Sequence, residues 1–315
     1  MAYFASIADL VGNTPLVEIS ELSPNPKVRI LAKLEGQNPG GSVKDRIALS
    51  MVQEAEKDGT LKPGQTLIEP SSGNTGIGLA LVCKLKGYPL KIVLPANVSV
   101  ERRQLLEVWG AEIIESPGSE GSNGAVRLAQ QIAGENPDLA FLYQYANPAN
   151  PKAHYEGTGP EIWRDCPEIT HFVAGLGTSG TLMGVGRFLK ERNPAIQVWA
   201  IEPPAGEMVD GLRNLDDGYI PPIFTDNNGA ELLDRKTIVG PRDSIEWTRR
   251  LIDVGIFAGI SSGAILAGAQ RCATAIDEGV IVMVVCDGGW KYLSTGAWTG
   301  DIDEVTERAK SIIYF

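Results

Sequence analysis

The feature that most constrains this chain is a repeated alternation of short apolar runs, loops rich in glycine and serine, and helical patterns. Residues 65–69 (Gln-Thr-Leu-Ile-Glu) have a strand pattern, residues 71–76 (Ser-Ser-Gly-Asn-Thr-Gly) form a loop, and Ile77, Leu81 and Leu85 then recur every fourth residue. That recurrence is typical of a helix that follows a strand. Strand–loop–helix units assemble into parallel sheets that are covered by helices on both faces. The sequence therefore predicts an α/β, doubly wound fold.

The alternation runs through two blocks, which are separated by a segment rich in proline and asparagine at residues 148–151. Further strand patterns are found at residues 90–94, 113–114, 139–143, 170–174 and 198–201, and further helical patterns at residues 100–109, 123–133 and 182–191. Residues 203–240 lack periodicity, which predicts an irregular segment. Two such blocks predict two α/β domains with a ligand cleft between them.

Charge and composition exclude several classes of function. The net charge is 28 − 39 = −11 without a Lys/Arg-rich tract, which argues against nucleic acid as a partner. The longest apolar run, residues 280–286, is far shorter than the ~20 residues of a membrane-spanning helix, and no secretory signal pattern is seen. We therefore expect a cytoplasmic protein that does not associate with a membrane. The four cysteines form no CxxC pair, which predicts reduced thiols and no metal site.

One candidate site is the loop at residues 40–46 (Gly-Gly-Ser-Val-Lys-Asp-Arg), which precedes a helical pattern. Ser42 and Asp45 have the spacing of a capping box, which would place Lys44 in the first helical turn. The positive end of the helix dipole disfavours an ammonium ion there, so the amine of Lys44 would be available as a nucleophile. A solvated lysine in an ordinary first turn would give the same pattern.

A second candidate is the loop at residues 175–181 (Gly-Leu-Gly-Thr-Ser-Gly-Thr), which follows a strand pattern and fits G-x-G-x-x-G. Glu202, 22 residues beyond Gly180, ends the next strand pattern, as in dinucleotide-binding sites. An NAD-dependent oxidoreductase is therefore one hypothesis. The hydroxyls of Thr178 and Thr181 favour a phosphate monoester instead, since it offers more acceptor oxygens than a bridging pyrophosphate.

Two further loops complete the pattern. Residues 71–76 would suit a carboxylate, because small residues and the N–H groups of a helix start bind anions. Residues 259–263 (Gly-Ile-Ser-Ser-Gly) again precede a helical pattern. In this order and spacing, the four motifs resemble those of the cysteine synthases, which are pyridoxal-phosphate enzymes of the tryptophan-synthase-β fold (fold type II). The resemblance extends from residues 12–16 (Gly-Asn-Thr-Pro-Leu) to residues 291–296.

The resemblance implies a role for each matching residue. Lys44 would hold pyridoxal 5'-phosphate as a Schiff base, Asn74 would hydrogen-bond its ring hydroxyl, and Ser261 would face the pyridine nitrogen. The residues that would cradle its phosphate are Gly177, Thr178, Ser179, Gly180 and Thr181. Those that would bind the substrate carboxylate are Ser71, Ser72, Thr75 and Gln144, and Ser71 stands where the family usually has threonine.

The resemblance also implies a domain division and a reaction. We predict a larger domain of residues 1–40 and 148–315 and a smaller domain of residues 41–147, with the cofactor in the cleft between them. Lys44 would remove the α-proton of an O-activated serine, and loss of the β-substituent would leave an α-aminoacrylate that accepts sulfur to give L-cysteine. A serine/threonine dehydratase and a non-catalytic binding homologue are the alternatives.

The acceptor substrate depends on Arg213. Residues 211–214 (Gly-Leu-Arg-Asn), 100–104 and 287–292 resemble the B-type branch of the family. In enzymes that use O-phospho-L-serine, an arginine here would pair with the phosphate, which a guanidinium can bind with two hydrogen bonds. O-Phospho-L-serine is therefore the favoured acceptor. O-Acetyl-L-serine, with sulfide or thiosulfate, is the alternative, because some B-type enzymes that prefer it also carry this arginine.

The C-terminal residues 312–315 (Ile-Ile-Tyr-Phe) are apolar. They resemble tails that fold over the active site in the phosphoserine branch, where a small thiocarboxylated carrier protein delivers sulfur. Either that carrier or sulfide would be the sulfur source. An exposed apolar terminus can also be buried in an interface between two subunits, so we expect a homodimer.

Overall fold

The computed structural model describes residues 3–71 and 73–311 of the protein. Its strands are β1 (Leu16–Glu18), β2 (Val28–Leu34), β3 (Leu67–Pro70), β4 (Leu90–Pro95), β5 (Glu112–Ser116), β6 (Ala140–Phe141), β7 (His171–Gly175), β8 (Gln197–Glu202), β9 (Arg235–Ile238) and β10 (Gly279–Val285). Its α-helices are α1 (Lys44–Asp58), α2 (Asn74–Lys86), α3 (Val100–Val108), α4 (Gly121–Glu135), α5 (Ala149–Ala153), α6 (Gly159–Asp165), α7 (Gly180–Arg192), α8 (Pro222–Asp226), α9 (Gly229–Leu232), α10 (Pro241–Asp253), α11 (Ile260–Ala275) and α12 (Ile302–Ser311).

The strands form two sheets. The six-stranded sheet has the order β1-β2-β10-β7-β8-β9, and only the β1–β2 pair is antiparallel. The four-stranded sheet has the order β5-β4-β3-β6 and is wholly parallel. All four strands of the smaller sheet lie within residues 41–147, and all six strands of the larger sheet lie outside this range. Because the strands divide in this way, we propose that residues 41–147 form the smaller domain and that residues 1–40 and 148–315 form the larger one.

Strand β10 shows why the longest apolar run of the chain is a strand. Ile281, Met283 and Val285 pack into the core on the face that α10 and α11 cover. Val282 and Val284 point the opposite way and pack with residues of α6 and α7. Successive side chains of a strand alternate between its two faces. A strand that is buried on both faces therefore needs a continuous run of apolar residues. This arrangement confirms the doubly wound α/β prediction.

The predicted elements are found within a few residues of their expected positions, with two corrections. Residues 203–240 are not irregular throughout, because they contain α8, α9 and the edge strand β9, which pairs with β8. The capping box at Ser42 is also wrong. Helix α1 begins at Lys44 with Val43 in the N-cap position, and the carboxylate of Asp45 accepts the N–H of Gly40 instead of capping the helix. Lys44 nevertheless lies in the first turn, as predicted.

Within the described ranges, none of the helices has the length and apolarity needed to cross a lipid bilayer.

Candidate active site

A cleft of about 840 Å³ opens at the carboxyl ends of the parallel strands, where α/β proteins bind ligands. The predicted residues that line it are Lys44, Ser71, Asn74, Thr75, Gln144, Gly177, Thr178, Arg213 and Ser261. An adjoining cavity of about 380 Å³ shares Lys44 and Thr178 and is lined by the remaining phosphate residues, Ser179, Gly180 and Thr181. Ser72 lies outside the described residues. The structure therefore brings together every other residue that the sequence predicted for the site.

Lys44 is the first residue of α1 and lies where the two cavities meet. Burial lowers the pKa of its amine, and the smaller effects of Cys286, Asp287 and Glu35 oppose that shift. A lowered pKa increases the fraction of neutral amine, which is the form that attacks a carbonyl carbon or removes a proton. The lysine is therefore suited to both roles.

Asn74 is fixed at both ends of its side-chain amide. Its Nδ2 donates to Asp287 Oδ2 (2.8 Å), and its Oδ1 accepts from the Nζ of Lys291 (2.6 Å). Lys291 is fully buried and also donates to the carbonyl of Gly41. The second N–H of the Asn74 amide takes no part in these bonds, and Asn74 lines the cleft. In the sequence, residues 287–292 show only the resemblance to the B-type branch. An acidic and a basic residue in a glycine turn directly after a buried strand are the signal that could predict these contacts.

The loop between β3 and α2 is shaped by a serine hydroxyl. Ser71 Oγ accepts the N–H groups of Gly73 (3.3 Å) and Gly76 (2.9 Å), which curls the backbone around the start of the helix. Thr75 Oγ1 donates to Gln144 Oε1 across the cleft wall (2.6 Å). Hydroxyl, amide and helix N–H groups thus converge at one end of the cleft, where a carboxylate would be bound.

The loop at residues 175–181 has the shape of a phosphate cradle. Ser179 adopts a left-handed conformation (φ 72°) directly before α7 begins at Gly180. Its buried hydroxyl has no hydrogen-bond partner among the described residues. A Cβ at Gly177 would lie 2.7 Å from the carbonyl oxygen of Gly211, so only glycine fits. Helix N–H groups, an unpartnered hydroxyl and a close backbone approach together fit a phosphate monoester.

Two residues that the sequence did not single out support this cradle. Asn150 Nδ2 donates both to the carbonyl of Gln144 (2.9 Å) and to Thr178 Oγ1 (3.0 Å), and thereby links the carboxylate end of the cleft to the phosphate end. The buried His154 is within 3.2 Å of Thr181 Oγ1. Burial lowers the pKa of His154 well below its ordinary value, so its imidazole is neutral.

Ser261 and Cys286 also line the cleft. Ser261 is the second residue of α11, and Cys286 directly follows β10. Burial raises the pKa of the Cys286 thiol to about 12, which keeps it protonated near neutral pH. The cysteines Cys83, Cys166, Cys272 and Cys286 are free thiols, as predicted, and Cys286 is the one that reaches the cleft.

Arg213 extends over two aromatic rings at the mouth of the cleft. Its guanidinium carbon lies 4.8 Å from the ring centre of Tyr219 and 5.6 Å from that of Tyr145. Its backbone N–H donates to the carbonyl of Leu176 (2.7 Å), which joins the arginine loop to the phosphate cradle. Arg102 also lines the cleft, in a buried ion pair with Asp210 (2.6 Å).

Comparison with known proteins agrees with this geometry. A family model described as "Pyridoxal-phosphate dependent enzyme" matches residues 7–287. A relative named cysteine synthase B from Escherichia coli (strain K12) is 44% identical over 296 residues, which cover 93% of this chain and 96% of the relative. The chain belongs to the cysteine synthase family of pyridoxal-phosphate-dependent enzymes. The predicted B-type resemblance, cofactor and enzyme class are thereby confirmed.

Other members of the pyridoxal-phosphate-dependent family share the fold along nearly the whole chain. Cysteine synthase B from Salmonella typhimurium is 45% identical over 295 residues, covering 93% of this chain and 96% of the relative. The crystal structure of O-ureido-L-serine synthase has a TM-score of 0.88 at 38% identity and covers 95% of this chain and 96% of that one. A cysteine synthase from Entamoeba histolytica has a TM-score of 0.87 at 34% identity, covering 98% and 96%. The fold-type prediction is confirmed.

Family membership also excludes the hypothesis of an NAD-dependent oxidoreductase. The contacts of Glu202 show why the G-x-G-x-x-G pattern followed by an acidic residue does not indicate a dinucleotide site here. Its carboxylate is buried, forms an ion pair with Lys236 (3.0 Å) and accepts the N–H of Leu215 (3.3 Å). The carboxylate thus joins β8 to its neighbouring segments and does not face a ribose. The glycine pattern itself marks a phosphate site at a helix start, which both classes of enzyme need.

Proposed function

We propose that the protein forms L-cysteine by replacing the β-substituent of an O-activated L-serine with sulfur, and that O-phospho-L-serine is its preferred acceptor. The observation that carries this proposal is Arg213, whose guanidinium lines the same cleft as Lys44. A dianionic phosphate gains from a guanidinium at that position, since charge-assisted bonds to phosphate are short and strong. A neutral acetyl ester gains little.

In this proposal the carboxylate end of the cleft fixes the substrate. The hydroxyls of Ser71 and Thr75 and the amide of Gln144 hold the α-carboxylate, and we assign Ser72 to the same group. The substrate Cα then lies near the amine of Lys44, whose lowered pKa makes it a suitable base for the α-proton.

The cofactor fits the chain at three places. Lys44 would hold it covalently, Asn74 would contact its ring oxygen, and the loop formed by Gly177, Thr178, Ser179, Gly180 and Thr181 would bind its phosphate. When bound, pyridoxal phosphate withdraws electrons from the substrate Cα and so permits loss of the β-substituent. Ser261 would place a hydroxyl at the pyridine nitrogen and, unlike an aspartate, would not hold that nitrogen protonated. Weaker electron withdrawal favours β-elimination over transamination.

The deciding experiment compares kcat/KM for O-phospho-L-serine and O-acetyl-L-serine, with sulfide, in the wild-type enzyme and in Arg213→Ala. Loss of one charge-assisted contact should lower the phosphoserine value by roughly 30- to 150-fold and the acetylserine value far less. Arg213→Lys should recover part of the loss, because an ammonium cannot reproduce the two-pronged contact. Equal losses for both substrates would make O-acetyl-L-serine the acceptor and Arg213 a structural residue.

The same assay separates the remaining alternatives. Pyruvate released without cysteine, in the presence of sulfide, would indicate a serine/threonine dehydratase. A protein that holds the cofactor but turns over neither acceptor would indicate a binding homologue. Replacing sulfide with thiosulfate or with a small protein thiocarboxylate tests the sulfur source. Sulfide and the thiocarboxylated carrier are the donors that we propose.

We also propose that the enzyme is a cytoplasmic homodimer. Four apolar side chains near the N-terminus are exposed, namely Phe4, Ile7, Leu10 and Val17, and apolar surface of this kind is characteristic of interfaces. Residues 312–315, for which we predict a position over the active site or in an interface, lie outside the described residues. Sedimentation equilibrium of the holoenzyme would test the dimer.

A further inference from the structure

Glu69 is a fully buried residue of β3, and its carboxylate accepts hydrogen bonds from two successive peptide groups of another segment. Its Oε2 accepts the N–H of Tyr143 (2.8 Å) and its Oε1 accepts the N–H of Gln144 (2.9 Å). Tyr143 has a positive φ of 52°, which is unusual for a residue that carries a large side chain. A left-handed residue turns neighbouring N–H groups toward one point, and there a single anion can accept both.

The peptide that Glu69 holds carries the amide of Gln144 into the cleft. The side chain of Gln144 accepts from Thr75 Oγ1 (2.6 Å) and donates to the carbonyl of Pro70 (3.3 Å). These two bonds fix the rotation of the amide, while the bonds from Glu69 fix the backbone that bears it. The position of the Gln144 amide is therefore set from β3, through the carboxylate of Glu69 and the carbonyl of Pro70.

We propose that Glu69 is a positioning residue for the substrate-carboxylate pocket, which it shapes by holding the left-handed turn at Tyr143 and Gln144. This inference rests on the proposed function of Gln144 as a ligand of the substrate carboxylate. It does not depend on which group leaves from the β-carbon.

The two hydrogen bonds that Glu69 accepts should depend on pH, because its carboxylate is buried. Burial raises the pKa of Glu69 to about 7, and the two N–H donors only partly offset that shift. Among the described residues, the groups that lower its pKa are these two N–H donors, and no Lys, Arg or His contributes. Tyr145 is the titratable side chain on the same loop that is influenced by its charge, and burial raises the pKa of Tyr145. Protonation of Glu69 would place a hydrogen on an oxygen that now accepts an N–H. The hydrogen bonds from Tyr143 and Gln144 should therefore weaken below about pH 7.

The test uses the holoenzyme and L-alanine, an amino acid that has the carboxylate and amine of the substrate but no leaving group. Its dissociation constant is read from the change that it causes in the visible absorption of the bound cofactor. Glu69→Gln can accept only one of the two N–H groups, because its amide nitrogen is a donor. We expect it to bind L-alanine about tenfold more weakly, with unchanged cofactor content.

Glu202→Gln is the matched control, since Glu202 is also a buried carboxylate in a strand of a parallel sheet that accepts a backbone N–H. It should leave the L-alanine affinity unchanged. A second measurement follows the L-alanine affinities of the wild type and of Glu69→Gln between pH 8 and 6. The ratio of the wild-type to the Glu69→Gln affinity should fall as the pH falls through about 7, because protonation of the L-alanine amine cancels in that ratio.

Equal L-alanine affinities in wild type and Glu69→Gln would overturn the inference, as would a Glu202→Gln defect of the same size. If Glu69→Gln does not fold, a wild-type affinity that follows only the titration of the L-alanine amine would overturn it instead. The two proposals can fail separately. If the wild-type enzyme makes no cysteine, but Glu69→Gln still binds L-alanine more weakly than the wild type does, the proposed reaction is refuted and this inference stands.

Discussion

The hydroxyl groups of Tyr143 and Tyr219 lie 2.7 Å apart and form a hydrogen bond. It ties the loop after β6, which bears Gln144, to the segment that bears Arg213. Tyr219 also lies beneath the guanidinium of Arg213. The two tyrosines thus couple the carboxylate end of the cleft to the position that we assign to the leaving group.

Removing either hydroxyl should therefore impair the reaction with O-phospho-L-serine. We expect Tyr219→Phe and Tyr143→Phe each to lower kcat/KM by about fivefold, the effect of one hydrogen bond of ~1 kcal/mol. The double variant should lose no more than either single variant, because both remove the same bond. Tyr88→Phe removes a hydroxyl that contacts Glu56 away from the cleft and serves as the control. Additive losses in the double variant would show that the tyrosines act separately.

Lys44→Ala should abolish turnover and covalent attachment of the cofactor. Reduction of the wild-type holoenzyme with borohydride, followed by peptide mass spectrometry, should place the cofactor on the peptide that contains Lys44. Lys291→Met is the control, because Lys291 is a second buried lysine with a lowered pKa that contacts Asn74. The label should stay on Lys44 in that variant. A label on Lys291 in the wild type would contradict the assignment.

Asp45 should make the stability of the protein depend on pH. Burial raises its pKa from 3.8 to about 6, so the folded protein binds this proton more tightly than the unfolded chain does. The resulting stabilisation is complete below pH 3.8 and is lost as the pH rises through about 6. Asp45→Asn is neutral throughout. We expect the free energy of unfolding of the wild type, relative to Asp45→Asn, to fall by about 2 kcal/mol between about pH 4 and 7. Parallel curves from urea titrations would contradict the prediction.

Gly180→Ala should weaken cofactor binding without unfolding the protein. The new Cβ would collide with the side chain of Asn150, which must then move away from Thr178. We expect the dissociation constant of pyridoxal phosphate, measured by fluorescence titration of the apoprotein, to rise at least about tenfold. Gly134→Ala, in a helix with open space around it, is the control and should be neutral or slightly stabilising. Unchanged affinity in Gly180→Ala would show that the cradle tolerates the shift.

The sequence predicted those parts of the fold and site that depend on local pattern. The apolar run of β10 and the glycine loops before α2, α7 and α11 carry their structural signal within a few residues. Strand β9 was missed because an exposed edge strand has no buried face to impose a pattern. Glu69, Asp287 and Lys291 were missed for a different reason. Each acts on a group that is distant in sequence, and a single buried charge does not reveal its partner.

The double contact of Asn150 has a consequence for how enzymes of this fold diversify. One side chain sets the spacing between the amino-acid end and the phosphate end of the cleft. A change at either end would disturb the other, so these two regions are expected to evolve together and slowly. The segment around Arg213 joins this frame through one backbone hydrogen bond, ring stacking and the Tyr143–Tyr219 hydrogen bond, so it can be exchanged as a unit if these contacts are kept. The O-ureido-L-serine synthase described above, which is named for a different product, shares this fold. Exchange of that segment between relatives is thus a direct route to enzymes with new acceptors.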